Sequence, residues 1–130
     1  MGAAAADCWA AVSSNWLMAP FCLALPEVTE RLSHGTPAFF VKKQFAMVWP
    51  DGHHGVTFPQ LWCAAPPGVQ DELLLTDAGR FFRPPYLGAR GWIGVRLDTD
   101  VDWDEVAAIC ADGYRCVAPK RLAEQVDPGD

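Results

Sequence analysis

"TPAFFVKKQFAMVWPDGHHGVTFPQLWCAA", Thr36 to Ala65, decides the fold. It holds three apolar runs rich in Phe, Val and Trp, separated by two breakers. "KK" at Lys42–Lys43 is a tight turn, and "PDGHHG", residues 50–55, is a second hairpin connection with Asp-Gly at its centre. Strands joined by hairpins need no crossover, so they lie antiparallel. Pro59 falls within the third run and predicts an edge strand or a bulge there.

The flanking segments supply helices. "NWLMAPFCLALPEVTER", residues 15–31, reads as a first helix that begins late or kinks at Pro20 and ends at Pro26. "PPGVQDELLLTDAGR", residues 66–80, reads as a short second helix with Val69, Leu73 and Leu74 at helical spacing, ended near Gly79. "PPYLGARG" is a loop and "WIGVRLD", Trp92 to Asp98, a strand. "DWDEVAAICADGYRCVA" carries the strongest helix signal: Asp102 and Glu105 make an Asp form of the capping box, and Trp103, Val106, Ala107, Cys110 and Tyr114 share a face. Gly113 inside it costs roughly 1 kcal/mol relative to Ala, or breaks the helix. Pro119 begins a last short turn. The order predicts a two-layer α+β domain, a largely antiparallel sheet with helices packed on one face. Residues 1–15 read as an N-terminal tail, 16–125 as one domain and 126–130 as a C-terminal tail.

A chain of 130 residues, 51% hydrophobic with six tryptophans and only 20% charged, is a single folded domain with a real core. Its net charge of −6 argues against bulk attraction to nucleic acid or an anionic membrane. No run approaches the roughly 18 apolar residues of a membrane span. The cysteines, Cys8, Cys22, Cys63, Cys110 and Cys116, are odd in number and contain no C-x-x-C pair, and "MGAAAADCWAAV" has no basic leader region. Reduced thiols in a cytoplasmic protein are the expectation.

Charge is nevertheless uneven. "FFRPPYLGARGWIGVRLD", Phe81 to Asp98, gathers four aromatics and three arginines. From Arg80 to Arg96 there is no acid, and from Asp98 to Asp112 there are six acids and no base. The two blocks either neutralise each other or leave a usable patch. Alternation sends Ile93, Val95 and Leu97 toward the helices and Trp92, Gly94 and Arg96 to the other face. Either Arg96 covers Trp92 as a cation–π pair, or that face is a platform for an anionic or planar partner.

Other motifs carry less. His53 and His54 are adjacent in a hairpin tip, which suits a solvent-exposed turn and not a chelate. His34 is either a structural hydrogen-bonder at a strand entry or a pocket residue. Cys110 and Cys116 lie about 600° apart in helical rotation, on different faces. Ser13, Ser14 and Ser33 sit in no G-x-S-x-G context, and Gly88, Gly91 and Gly94 fit no phosphate loop. The carboxylates from Asp98 to Glu105 look like a solvated helix start. No catalytic residue, metal site or cofactor is predicted, and a non-enzymatic binding domain is expected.

With "LALPEVTERLSHGTPAFFVKKQFAMVW", "FFRPPYLGARGWIGVRLD" and "VAPKRLAEQ" in order, the chain resembles the MmcQ/YjbR-like family from about Leu17 to Gln125. The resemblance implies a frataxin-like (CyaY-like) fold, an antiparallel sheet backed by helices. It brings with it a proposed DNA-binding role, and some members occur in antibiotic gene clusters. Positions on the family motifs are Glu27, His34, Gly35, Pro37, Phe39, Tyr86, Trp92, Arg96, Lys120 and Arg121. It implies no catalytic residues.

Two functions follow as expectations. The first is binding of DNA or a nucleotide through Lys42, Lys43, Arg83, Arg90 and Arg96 with Tyr86 and Trp92. The second is a small-molecule pocket on the open sheet face, for an anionic or aromatic ligand, built from His34, Phe39, Tyr86, Trp92 and Arg96. A continuous basic stripe favours the first and a concave aromatic site the second.

Overall fold

A computed structural model describes residues 22–50, 52–53, 57–98 and 101–126. Six strands form one sheet: β1 (Thr29–Ser33), β2 (Thr36–Val41), β3 (Lys43–Trp49), β4 (Gln60–Cys63), β5 (Phe81–Phe82) and β6 (Ile93–Arg96). Their order is β1-β2-β3-β4-β6-β5, with every neighbouring pair antiparallel. The helices are α1 (Val69–Thr76), α2 (Trp103–Val117) and α3 (Lys120–Ala123), and Leu87–Arg90 form a 3-10 turn. The α+β expectation holds.

The segment Thr29–Ser33, beyond the Pro26 end of the first helix and assigned no element from sequence, is the edge strand β1. Of that helix only Cys22 and Leu23 are helical among the described residues. The chain leaves the helix before Pro26 and turns back at His34-Gly35, both at positive φ. A two-residue hairpin with that geometry matches strand twist, so β1 pairs with β2 in place of extending the helix. The "KK" turn is tighter than read: Lys42, φ 64°, is the apex and Lys43 already pairs with Val41. Register shifts by one residue between Phe39 and Phe40, leaving Phe45 as a bulge on β3.

Pro59 marks neither an edge nor a bulge. It precedes the first residue of β4, an interior strand, and its carbonyl accepts the Leu97 N–H at 2.9 Å. That position suits proline because no ladder donor is required of it. The loop ending at Arg80 feeds a short strand, β5, that closes the sheet beyond β6.

Helix α2 runs unbroken through Gly113. Glycine is needed there because a Cβ would lie 2.6 Å from Cys63 Sγ and equally close to the Ala64 carbonyl. Close approach outweighs lost helix propensity. Asp102 caps α2, its carboxylate accepting the N–H groups of Asp104 (3.1 Å) and Glu105 (3.2 Å). Only this half of the capping box forms, because the Glu105 side chain pairs with Arg80 across the fold.

One sheet face lies under α2. Across it run Phe39, Ala46, Cys63 and Ile93, then Val48, Leu61, Val95 and Phe81. Tyr114 meets Phe45 edge-on at 5.7 Å and donates its hydroxyl to Pro26 O at 2.7 Å, which ties α2 to the segment ahead of β1. Ile93, Val95, Leu97 and Val106 are buried as expected, and Trp103 is half-buried.

Candidate functional site

The opposite face carries a different row: Ala38, Met47, Trp62, Gly94 and Phe82 are successive cross-strand neighbours. Beside it lie Trp49, Gln60 and Arg96. The alternation read in β6 is right, but this face is not simply open. Its β5–β6 half is roofed by side chains. The Phe82 ring fills the gap left by Gly94, Phe58 meets Phe82 edge-on at 6.0 Å, and Arg96 stacks on Phe58 at 4.1 Å from the ring centroid. Arg96 therefore does not cover Trp92. It is also clamped by Asp98 through Nε (3.1 Å) and Nη2 (2.9 Å), which holds the Asp98 carboxyl below its ordinary range.

The β3–β4 half holds a half-open cleft of about 1050 Å³. Met47 and Trp62 form its floor, with Trp49 beside them. The Trp62 indole is oriented by a 2.8 Å hydrogen bond from Nε1 to Gln60 Oε1, and Gln44 Nε2 donates to Met47 Sδ at 3.1 Å. His53 stands at one end, 4.5 Å from the Trp49 ring and 4.9 Å from Trp62. It is half-buried among aromatics, which corrects the exposed-turn reading; His54 lies outside the described residues. Among the described residues the buried indole Nε1 of Trp49 has no acceptor.

The outer wall is the segment from Pro84 to Trp92. Buried Gln70 on α1 anchors it, donating Nε2 to Gly88 O at 2.9 Å and to Trp92 O at 2.6 Å. Trp92 is 5% exposed and packs inward, not outward as a platform. Tyr86 is the reverse, 79% exposed at the cleft mouth. Its φ of 65° and ψ of −56°, with the Leu87 N–H donating to Pro85 O at 2.6 Å, make the rarer, strained form of γ-turn. Non-glycine residues adopt it at a cost of order 1–3 kcal/mol, and such strain gathers at binding sites.

Of the residues chosen from sequence, His34, Lys43, Tyr86, Arg90 and Trp92 line this cleft. Phe39 does not: its pairing with Ala46 turns it to the α2 face, where it is fully buried. Arg96 is held by Asp98 and Phe58, Arg121 by Glu27 at 3.1 Å, and Lys120 lies 3.9 Å from Glu124. Lys42 is at the hairpin apex, and the Arg83 side chain lies against Gly88. Sequence reading missed Trp49, Trp62, Met47, Gln44 and His53. Period-two alternation carried through β3 and β4 puts Met47, Trp49 and Trp62 on one face, but the Phe45 bulge interrupts that count.

Buried Cys22, Cys63 and Cys110 form a chain of thiols inside the core. A hydrogen bond with Cys110 and burial push the Cys63 thiol well up, a hydrogen bond with Cys22 and burial push the Cys110 thiol well up, and Cys63 Sγ donates to Ile109 O at 3.7 Å. The described cysteines, these and Cys116, form no disulfide. Among the described residues no group of three His, Cys, Asp or Glu side chains is arranged to hold a metal, and no helix is long and apolar enough to cross a membrane.

The YjbR family model matches residues 23–116. The chain belongs to the YjbR family. The match spans the whole described sheet and all of α1, and it ends just short of the C-terminus of α2. The crystal structure of Deinococcus radiodurans protein DR2400, which carries the family domain DUF419, superimposes with a TM-score of 0.66 over 83% of each chain at 18% identity. At that identity the likeness speaks for the fold, in agreement with the six-stranded YjbR sheet described above. No curated protein matches the chain.

Proposed function

We propose that this YjbR-family domain binds a small, flat organic ligand in the cleft on the sheet face opposite α2. One observation carries the reading: Trp49, Trp62, Trp92, Tyr86 and His53 converge on a single cleft of about 1050 Å³. Concave sites lined by aromatic side chains with a few polar groups are how small molecules are held. Flat ligands gain by stacking or edge contacts with such rings. The strained, exposed Tyr86 gives the mouth a ring that a ligand would cover.

The same observations support a small ligand over nucleic acid. Of the five basic residues expected to bind DNA, Arg96 pairs with Asp98, Lys43 and Arg90 line the concave cleft, Lys42 sits at a hairpin apex and Arg83 lies against Gly88, an arrangement that favours a pocket over a continuous basic stripe. Nucleic-acid affinity rests on such a stripe.

The test is a two-dimensional amide NMR titration with a panel of flat aromatic compounds and, separately, with single-stranded oligonucleotides. Saturable shifts confined to residues 43–49, 60–62 and 84–92, weakened about tenfold by Tyr86→Ala, are expected for the compounds. Saturable, salt-sensitive shifts from oligonucleotides with none from any compound would overturn the reading.

A further inference from the structure

We infer that the ligand is a planar aromatic acid whose carboxylate is met by Lys43 and Arg90, both of which line the cleft. The inference rests on the cleft reading above and adds the charge and orientation of its occupant.

Strand register fixes the floor of the cleft. Ala46 is level with Cys63, and Cys63 with Ile93, while the Ala64 N–H donates to Phe45 O at 2.8 Å. Trp92, just before Ile93, therefore sits level with Phe45 and Ala64. Lys43 lies two residues upstream of that level at the start of β3, and Arg90 lines the same cleft from the 3-10 turn Leu87–Arg90. Trp49 ends β3, on the order of 20 Å from Lys43 along the strand, and His53 packs on Trp49 and lies within 6.4 Å of the Tyr86 ring. The cleft is thus a slot lined by aromatic rings, with Lys43 and Arg90 as its lysine and arginine.

The charge there is uncompensated. Among the described residues no carboxylate lies within ion-pair distance of Lys43 or Arg90, and no Asp or Glu lines the cleft. This holds in a chain of net charge −6, where Arg80, Arg96, Arg115 and Arg121 each pair with a carboxylate. Two cations kept unpaired beside indole rings form a receptor for an anion. A carboxylate conjugated to an arene stays in the plane of the ring. It fits the slot edge-on and meets the planar guanidinium fork of Arg90, with the Lys43 ammonium as a second point charge.

Isothermal titration of the full chain with 2-naphthoate, 2-naphthamide and 2-naphthylmethylammonium tests this, because the three share a flat body and differ in charge. The acid should bind at least about tenfold more tightly than the amide. Lys43→Met and Arg90→Met should each remove most of that advantage while leaving the amide within about twofold. Both are surface changes, and unchanged thermal midpoints should accompany them. Equal affinity for acid and amide, or tightest binding of the ammonium, overturns the charge assignment and leaves the cleft reading standing. Binding of none of the three, in wild type and Tyr86→Ala alike, overturns the cleft reading and this inference with it.

Discussion

The Phe82 ring lies over Gly94 on the neighbouring strand, so that a Cβ built at position 94 would fall under 3.0 Å from three ring carbons. This contact roofs half of the sheet face and confines the cleft to the other half. Gly94→Ala should therefore destabilise the fold by about 1–3 kcal/mol, through overpacking. Adding Phe82→Ala should recover part of that loss, since the two positions are in contact and couple. Urea denaturation of the two single variants and the pair measures it; simple additivity would show that the ring is not what excludes a side chain at position 94.

Gln70 is the only link described between α1 and the cleft's outer wall that runs through a buried side-chain amide, and it holds two carbonyls at once. Gln70→Leu leaves both without that donor. The expected loss is about 1–3 kcal/mol. Amide exchange should quicken over residues 86–92 before it changes in β3 or β4. Unchanged exchange there would mean the wall is held by Trp92 packing alone.

Tyr86 should show the opposite sign. Glycine accepts positive φ without strain, and the exposed ring loses little packing. Tyr86→Gly should leave stability unchanged or raise it by about 1 kcal/mol while weakening ligand binding. A loss above about 1 kcal/mol in thermal or urea unfolding would place the ring among the structural contacts instead.

The core thiols should resist alkylation. Cys22, Cys63 and Cys110 are fully buried and Cys116 is exposed. The hydrogen bonds and burial that raise the Cys63 and Cys110 thiols also keep them protonated, and the thiolate is the reactive form. Iodoacetamide on native protein, read by peptide mass, should label Cys116 well before these three, which become available on unfolding. Early labelling of Cys110 would contradict the packing of α2 on β4.

Arg96 lowers the titration of Asp98 chiefly through their hydrogen bond. A carboxyl depressed in the folded state stabilises above its unfolded pKa, about 3.9, and that contribution is lost as pH falls through the lower folded value. Carboxyl NMR should place the Asp98 midpoint below the ordinary range, and Arg96→Gln should return it upward. An ordinary midpoint in wild type would mean that the pair is open in solution.

Much of the architecture was legible in the sequence. Apolar runs with period-two alternation, breakers at Lys42 and around Gly52, and the capped apolar face of α2 are local signals, written within a few residues of where they act. Period alone assigned Ile93, Val95 and Leu97 to the helix side. Tertiary structure decided the rest. The segment Thr29–Ser33 became a strand because β2 offered it an edge, and Glu105 left the capping box because Arg80 approached from β5's entry. Gly113 stayed helical because β4 comes too close for any side chain. The site depended on such long-range facts most of all. The Phe45 bulge sets which face Met47 and Trp49 occupy, and Gln70, far along the chain, sets where the wall carrying Tyr86, Arg90 and Trp92 stands. Alternation tells a residue which side of its own strand it faces; only the folded sheet decides what covers that side, because cover comes from elements distant in sequence.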